Sequence, residues 1–450
     1  MRSRLANFWE TLSSSLWFVP SIMTLLAIAL AICGIALDYA LTGKYEWAFG
    51  GGPEGAREVL SAIASSMITV AGVAFSITIV ALTLASQQFG PRLLRNFMRD
   101  RGNQVVLGTF IATFTFSLIV LRTIRSDEGE FVPQISVTLA ILFALASLGV
   151  LIYFIHHAAV TIQAPEVIAK VAGDLTQGID KLFPETLGRP PAEDEDDLRP
   201  EVVREFKREA RTIPCPATGY LQSIDNDRLM TLATENDLVF LLPCRPGDFM
   251  IEGNILIQVK PFDRIEERII NQIYNCFIFG DERTHLQDIL FTVSQLVEVA
   301  VRALSPAFND PITAMSCIDR LTAALCRLAQ RSMPSPYRHD DHHQLRVIVV
   351  RPVRFAEVVD GAFNSIRQYG RSSAAVTLRL LDAIRLIAKR VKREGDRTAL
   401  FNQALMIERG SYDGLPEERD RQEVQERFRR TVLALQERAW RELSGRSAVR

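Results

Sequence analysis

Apolar residues concentrate in the first third of the chain. Four nearly continuous apolar runs occupy residues 16–37, 59–85, 105–121 and 132–155. A helix needs about 20 mostly apolar residues to cross hydrocarbon, because its backbone must be hydrogen-bonded internally there. Each run therefore predicts a transmembrane helix, and the fourth, "ISVTLAILFALASLGVLIYFI", carries no charge at all. Beyond about residue 170 the pattern changes to short apolar segments broken by charge, proline and glycine, as in an aqueous domain. The first run is too long for a signal-peptide core and lacks a small-residue cleavage site, so it reads as a retained anchor.

The second run carries polar residues at a helical repeat. Ser66, Thr69, Ser76, Thr83 and Gln87 are three, seven, seven and four residues apart. These steps are sums of threes and fours, which places all five along one side of a helix. Two accounts compete. Hydroxyl and small residues, Gly72 among them, let membrane helices pack closely. A polar stripe also lines a water-filled path when several copies surround an axis. Asp, Glu, Lys and Arg are missing from the interior of every run. Buried ionisable groups mark proton relays and ion-coupled carriers, so a passive pore, a sensor or a scaffold remains.

Lysine and arginine placement sets orientation. Arg2 and Arg4 precede the first run, and Arg92, Arg95, Arg99 and Arg101 fill the short loop after the second. The other two loops mix Lys44, Arg57, Arg122 and Arg125 with acids. Both termini are therefore expected in the cytoplasm. The four loop arginines serve as this topological signal, or else line a cytoplasmic mouth that draws in anions or anionic headgroups.

The predicted fold class is an α-helical membrane domain of four helices followed by an α+β cytoplasmic domain. Its parts are residues 1–157 in the membrane, 158–211 as a helical and acidic linker, 212–261 as a small β-module, and 262–450 as a mainly helical region. The stretch "PETLGRPPAEDEDDLRPE" is too polar and proline-rich to build a core, so residues 184–200 read as an exposed linker. Within the β-module, "RPGD" and "EGN" separate the apolar runs 238–242 and 255–259. The spacing of Gly219, Ile224, Gly247, Asp248, Gly253 and Leu256 resembles the barrel-sandwich hybrid of biotinyl and lipoyl domains. The cofactor-accepting lysine of those domains has no counterpart, so a swinging-arm role does not carry over.

Helical periodicity resumes in "IEERIINQIYNCFIFG", ending at Gly280, and in "HLQDILFTVSQLVEVAVRALS". "SPAFNDPITA" then restarts a helix, with Asn309 or Asp310 as cap and Pro311 in the first turn. The two prolines and the Asn-Asp pair form either a capped helix break or a rigid junction whose free N–H groups hold an anion. "LRVIVVRPV" predicts one buried strand. About three helices follow, the last covering residues 417–443.

Charge narrows the function classes. The chain has 51 Lys and Arg against 52 Asp and Glu, so nothing favours a nucleic-acid partner. Six scattered cysteines contain no CxxC pair and suit a reduced compartment. Phosphate-loop, dinucleotide, zinc-protease and nucleophile-elbow motifs are missing, which predicts no enzyme and no cofactor. His339, Asp340, Asp341, His342 and His343 are metal-ligand types, but they lack a spaced second pair, so no metal site is expected. His156 and His157 end the fourth run as interfacial groups or as a pH sensor.

Three blocks, "LASQQFGPRLLRNFMRDRGNQ", "DERTHLQDILF" and "VRALSPAFNDPITAMSCIDRL", resemble the signature blocks of a bacterial family of predicted membrane proteins. The resemblance covers nearly the whole chain. It implies the four-span architecture and a bacterial inner-membrane location, and it brings no activity or catalytic residue. The residues then point to a homo-oligomeric passive channel for an ion or small solute. Ser66, Thr69, Ser76, Thr83 and Gln87 would line the path, and Arg92, Arg95, Arg99 and Arg101 its mouth. The alternative is a membrane-anchored ligand sensor or scaffold without transport. Any ligand site is expected at Arg283, Thr284, Asp288, Asn309 and Asp310.

Overall fold

The computed structural model describes residues 15, 17–40, 49–93, 97–98, 100–126, 131–183 and 200–447. The chain divides into two compact units, residues 1–166 and 167–450. Of the predicted exposed linker, residues 184–200, all but Pro200 lie outside the described residues.

Four long apolar helices make the first unit: α1 (Phe18–Ala40), α2 (Pro53–Phe89), α3 (Arg101–Thr123) and α4 (Gln134–Thr161). Helix α3 is the least hydrophobic of the four and yet the most buried, with half of its apolar window inside the unit against 17–22% in the others. The fully buried Phe116 and Val120 give it an apolar face for all three neighbours. Thr113 Oγ1 lies 3.2 Å from Ser147 Oγ, and Phe116 meets Phe143 edge to face at 5.1 Å. At Gly108 an added Cβ would stand 2.5 Å from Met23 Sδ, so glycine permits the close crossing of α1 and α3.

Helix α4 begins at Pro133, which supplies no side-chain cap. Asp38 near the end of α1 does so instead. Its two carboxylate oxygens accept from Ile135 N at 2.9 Å, Ser136 N at 3.1 Å and Ser136 Oγ at 2.7 Å. A carboxylate at a helix N-terminus satisfies otherwise orphaned amides and complements the dipole. Gly34 leaves room for it, since a Cβ there would lie 2.9 Å from Ser136 Oγ.

Helix α5 (Ala164–Leu182), in the second unit from Val167 onward, precedes the shorter α6 (Pro200–Glu209). The strands are β1 (Arg211–Pro214), β2 (Gly219–Ile224), β3 (Val239–Leu242), β4 (Phe249–Met250), β5 (Ile255–Lys260), β6 (Phe277–Gly280), β7 (Tyr337–His339) and β8 (Leu345–Val349). They form a five-stranded sheet, β1-β5-β3-β8-β7, and a three-stranded one, β4-β2-β6. Only the β3–β8 pair is parallel among the described strands. Helices α7 (Asn226–Glu235) and α8 (Glu267–Tyr274) share one core with the strands, through Leu229, Leu232, Ile269 and Ile273. Val203 and Phe206 of α6 pack with Leu241 and Ile348 in a separate cluster. The remaining helices form a bundle: α9 (Ile289–Ala303), α10 (Pro311–Leu328), α11 (Phe355–Gly370), α12 (Ala374–Ala388), α13 (Glu394–Gly414) and α14 (Glu418–Ser447).

The fold is thus a four-helix membrane unit followed by a mixed α/β unit with small sheets. No barrel closes around residues 212–261. Their strands are divided between the two sheets, β8 enters from far along the chain, and α7 interrupts them. The apolar run ending at Gly280 is half helix and half strand. After α8, Phe277–Gly280 pairs antiparallel with β2, where its aromatic and branched side chains suit an extended edge. The tail after β8 holds four helices where about three were expected.

Asp180 ties α5 to α10. Arg327 Nε donates to Asp180 Oδ1 at 2.5 Å and Arg331 NH2 to the same oxygen at 2.7 Å. These arginines, chiefly the Arg327 hydrogen bond, hold the Asp180 carboxyl below its ordinary value of 3.8. Its stabilising contribution is therefore complete above 3.8 and is lost as pH falls through the lowered folded value. Asp180→Asn should lower stability near neutral pH and flatten the acid side of the stability profile. Thermal unfolding from about pH 7 to about pH 3 measures both effects.

Candidate functional site

The stripe of α2 lies outside the packing of its own unit. The buried face of α2 is Ala56, Leu60, Ala64, Ala71, Ala74, Thr78, Ala85 and Phe89, a seam dominated by alanine. At about 100° per residue, Thr69, Ser76, Thr83 and Gln87 cluster roughly 160° away from that seam, with Ser66 to one side. All five are exposed in the single chain. Thr69, Ser76 and Thr83 donate to the carbonyls of Ser65, Gly72 and Ile79 at 2.8, 2.9 and 2.9 Å. Each hydroxyl proton is thereby satisfied within the helix, and oxygen lone pairs are what the stripe presents outward.

Gly90 ends α2, with φ 109° and its N–H bonded to Ser86 O at 3.1 Å, and Pro91 opens a short 3-10 turn, Pro91–Leu93. Arg92 and Arg101 are exposed on either side of this connection, while Arg95 and Arg99 lie outside the described residues. Asp100 caps α3 by accepting from Gly102 N at 2.8 Å, and its Oδ1 also meets His157 Nε2 at 2.9 Å. His157 is thus an ordered partner of the α3 cap, and His156 beside it is exposed.

In the second unit the five candidate ligand residues separate into two places. Arg283, Thr284 and Asp288 lie before α9, and Asn309 and Asp310 lie beyond its far end. Fifteen helical residues, about 22 Å, stand between Asp288 and the end of α9. At that far end Asn309 takes a left-handed φ of 44°, and Asp310 caps α10 by accepting from Thr313 N at 3.0 Å. The Thr313 hydroxyl and amide hold the Asp310 carboxyl below its usual range. This helix N-terminus already carries its own anion, so the geometry is that of a capped break.

The near end is a cleft of about 470 Å³. Asp288, 4% exposed at the side chain, caps α9 by accepting from Phe291 N at 3.0 Å and pairs with Arg283 NH2 at 2.6 Å. Across the cleft, Arg245 makes a two-pronged pair with Glu357 of α11, one arm at 2.8 Å. Arg351 pairs with Asp248, whose Oδ2 also accepts from Arg245 N at 3.1 Å. Asp360 and Asn364 complete the wall and share Gln403 Nε2 at 2.7 and 2.8 Å. Burial raises the Asp288 carboxyl above its ordinary value, and the Arg283 charge and hydrogen bond offset only part of that. Thr284 instead bonds Gln222 O at 3.4 Å. Gln287 clamps both the N–H and the C=O of Ile224 at 2.9 Å.

The residues not anticipated from sequence are Arg245, Glu357, Asp360 and Gln403. Arg245 sits in the "RPGD" turn already marked by its dipeptide. The others are ordinary helix residues whose partners are more than a hundred or about forty positions away, which leaves no local signal. Asp340 likewise organises the β7–β8 hairpin, accepting from Arg346 Nε at 2.8 Å and from His342 N at 2.9 Å. Among the described residues no group of His, Cys, Asp and Glu could hold a metal ion. Burial pushes the Cys244 and Cys317 thiols up to about 12, so neither supplies a thiolate near neutral pH.

Four apolar helices of spanning length, carried by one chain with a mixed α/β unit, define a multi-span membrane protein. The family model described as "Predicted membrane protein (DUF2254)" matches residues 13–385, and the chain belongs to that family. The uncharacterized protein Rv1290c of Mycobacterium tuberculosis is 34% identical over 383 residues, covering 83% of this chain and 71% of its own. The uncharacterized protein Mb1321c of Mycobacterium bovis matches with the same identity and coverage. No solved structure matches significantly.

Gly247 sets the width of the cleft. Its φ is +94°, and an added Cβ would fall 2.1 Å from Asp288 Oδ2. Gly247→Ala should push Asp288 away from Arg283 and cost about 2 kcal/mol or more, through both backbone strain and the broken buried pair. Denaturant unfolding of the purified protein measures this, and a change below about 0.5 kcal/mol would show that the contact is not tight.

Proposed function

We propose that this protein is a homo-oligomeric passive channel of the bacterial inner membrane, with both termini cytoplasmic and the α/β unit as its regulatory part. One observation carries the reading: the polar stripe of α2 faces away from its own unit. A lone chain would turn that stripe toward lipid. In a ring of chains it faces the axis, while the alanine seam holds α2 against α3 within each chain. The outward oxygen lone pairs then replace part of a solute's hydration, and no intramembrane charge traps it. Helix α2 has 37 residues and is about 55 Å long, against about 30 Å of hydrocarbon. Its end therefore carries Gln87 toward the arginines at the proposed inner mouth. The test pairs two measurements. Light scattering corrected for detergent should give four or more chains per particle. Thr69→Leu with Ser76→Leu should leave that mass unchanged and lower single-channel conductance about tenfold by dewetting the path. A monomer, or unchanged currents, would refute the proposal.

The cleft between Arg245 and Asp288 favours a second reading, a membrane-anchored sensor. Its paired charges are half-buried and concave, which suits a small polar ligand. Under this reading the particle is a monomer or dimer without conductance, and Thr69→Leu with Ser76→Leu alters only thermal stability. Proteoliposome flux together with particle mass separates the two.

A further inference from the structure

A second cleft of the α/β unit, between α11, α12 and α13, has a different electrostatic character. It measures about 430 Å³, and its lining includes Arg367, Gln368, Tyr369, Arg371, Thr377 and Gly410. Two arginines and no acidic residue face it. Among the described residues neither guanidinium has a carboxylate partner, whereas the arginines of the larger cleft are paired at Glu357 and Asp288. Arg367 is half-buried. Its Nε is sealed from solvent without a hydrogen-bond acceptor, and its NH2 reaches only Asn364 Oδ1 at 3.5 Å. Asp360 acts on Arg367 through space, but its Oδ1 is held by Gln403 at 2.7 Å. Burial accordingly depresses the Arg367 pKa, as expected of a cation that has lost water without gaining a counterion.

The helix dipole explains why arginines stand at the C-terminal end of α11, but not why Arg367 is half-buried without a carboxylate partner. The cleft is also shaped by glycine. An added Cβ at Gly414 would stand 2.3 Å from Arg371 O, so glycine lets the turn carrying Arg371 lie directly on α13. A Cβ at Gly410 would meet nothing within 4 Å, so this position opens onto free space. We infer that this cleft binds a phosphate-bearing anion, held between the Arg367 and Arg371 guanidiniums. Two unbalanced positive charges match one phosphomonoester, which carries about −1.5 to −2 near neutral pH. The planar forks of arginine fit its oxygens in pairs.

Titration calorimetry of the full chain in an uncharged detergent tests this, with sodium glycerol 3-phosphate as the soluble phosphomonoester probe and dihexanoyl phosphatidic acid as the headgroup probe. The expected result is saturable binding of at least one probe, weakened about tenfold or more in Arg371→Gln. Gly410→Leu should weaken it similarly by filling the cleft, while its removal of a mid-helix glycine preserves or raises thermal stability. Arg371 is exposed, so its loss leaves the core intact. Binding of the lipid probe alone, with the same dependence on Arg371, would identify the source as a membrane headgroup. No saturable heat from either probe, or unchanged affinity in both variants, would overturn the inference. The measurement involves no current, so its failure is separable from that of the channel proposal.

Discussion

A polar group entering hydrocarbon must bring its own hydrogen-bond partner, and the first unit is arranged around that requirement. Helices satisfy their backbones by construction, so the cases that matter are side chains and helix ends. Thr69, Ser76, Thr83 and the buried Thr78 each bond a carbonyl one turn earlier. The start of α4, left open by Pro133, is satisfied by Asp38 from another helix. Helix α3, which the others surround, bonds Thr109, Thr115 and Thr123 to carbonyls of its own preceding turn and reaches across to α4 through Thr113 and Ser147. A less hydrophobic span in the middle of the unit is the expected outcome when lipid, not water, is the outer solvent.

In the second unit the corresponding device is the arginine–carboxylate pair. Arg346 joins Asp340 and Asp237, Arg245 joins Glu357, and Arg331 joins Asp180, each linking parts of the chain that the apolar core alone would leave free to slide. Such pairs contribute little net stability where exposed. Where half-buried they are costly to break, because the remaining partner is left without water or a counterion. Against that background the α11–α13 cleft differs: Arg367 is half-buried with its Nε lacking an acceptor, and neither it nor the exposed Arg371 has a carboxylate partner among the described residues.

Much of the architecture was legible in the sequence because length and composition alone determine it. The four spans follow from uninterrupted apolar runs, the α10 start from Asp310 and Pro311, and β8 from a branched run. The missed features depend on distant partners. Phe277–Gly280 continues a helical pattern and becomes a strand because β2 offers an open edge. Helix α7 hides in a β-like stretch, although Asp225, with Leu229, Leu232 and Ala233 behind it, is a cap followed by a helical face. The candidate site was half legible. Arg283 and Asp288 do meet, but the partners that make them a cleft, Arg245 and Glu357, come from a turn and a helix with no sequence link to them. Asn309 and Asp310 share a comparable motif and sit a helix-length away.

The blocks through which the chain resembles its family turn out to be junctions first. The "SQQFGPR" block ends α2 at a left-handed glycine, "ERTHLQD" clamps β2 and caps α9, and "SPAFNDP" turns the chain into α10 at a left-handed asparagine. Each is specific because the backbone there demands it, so motif strength alone does not locate chemistry. Function is better sought where the fold leaves something unbalanced. Two such places stand out: the outward face of α2, polar where a lone helix in lipid gains nothing from polarity, and the α11–α13 cleft, charged where a closed protein would be neutral. The first is the basis of the channel proposal and the second of the anion proposal, and neither observation depends on the other.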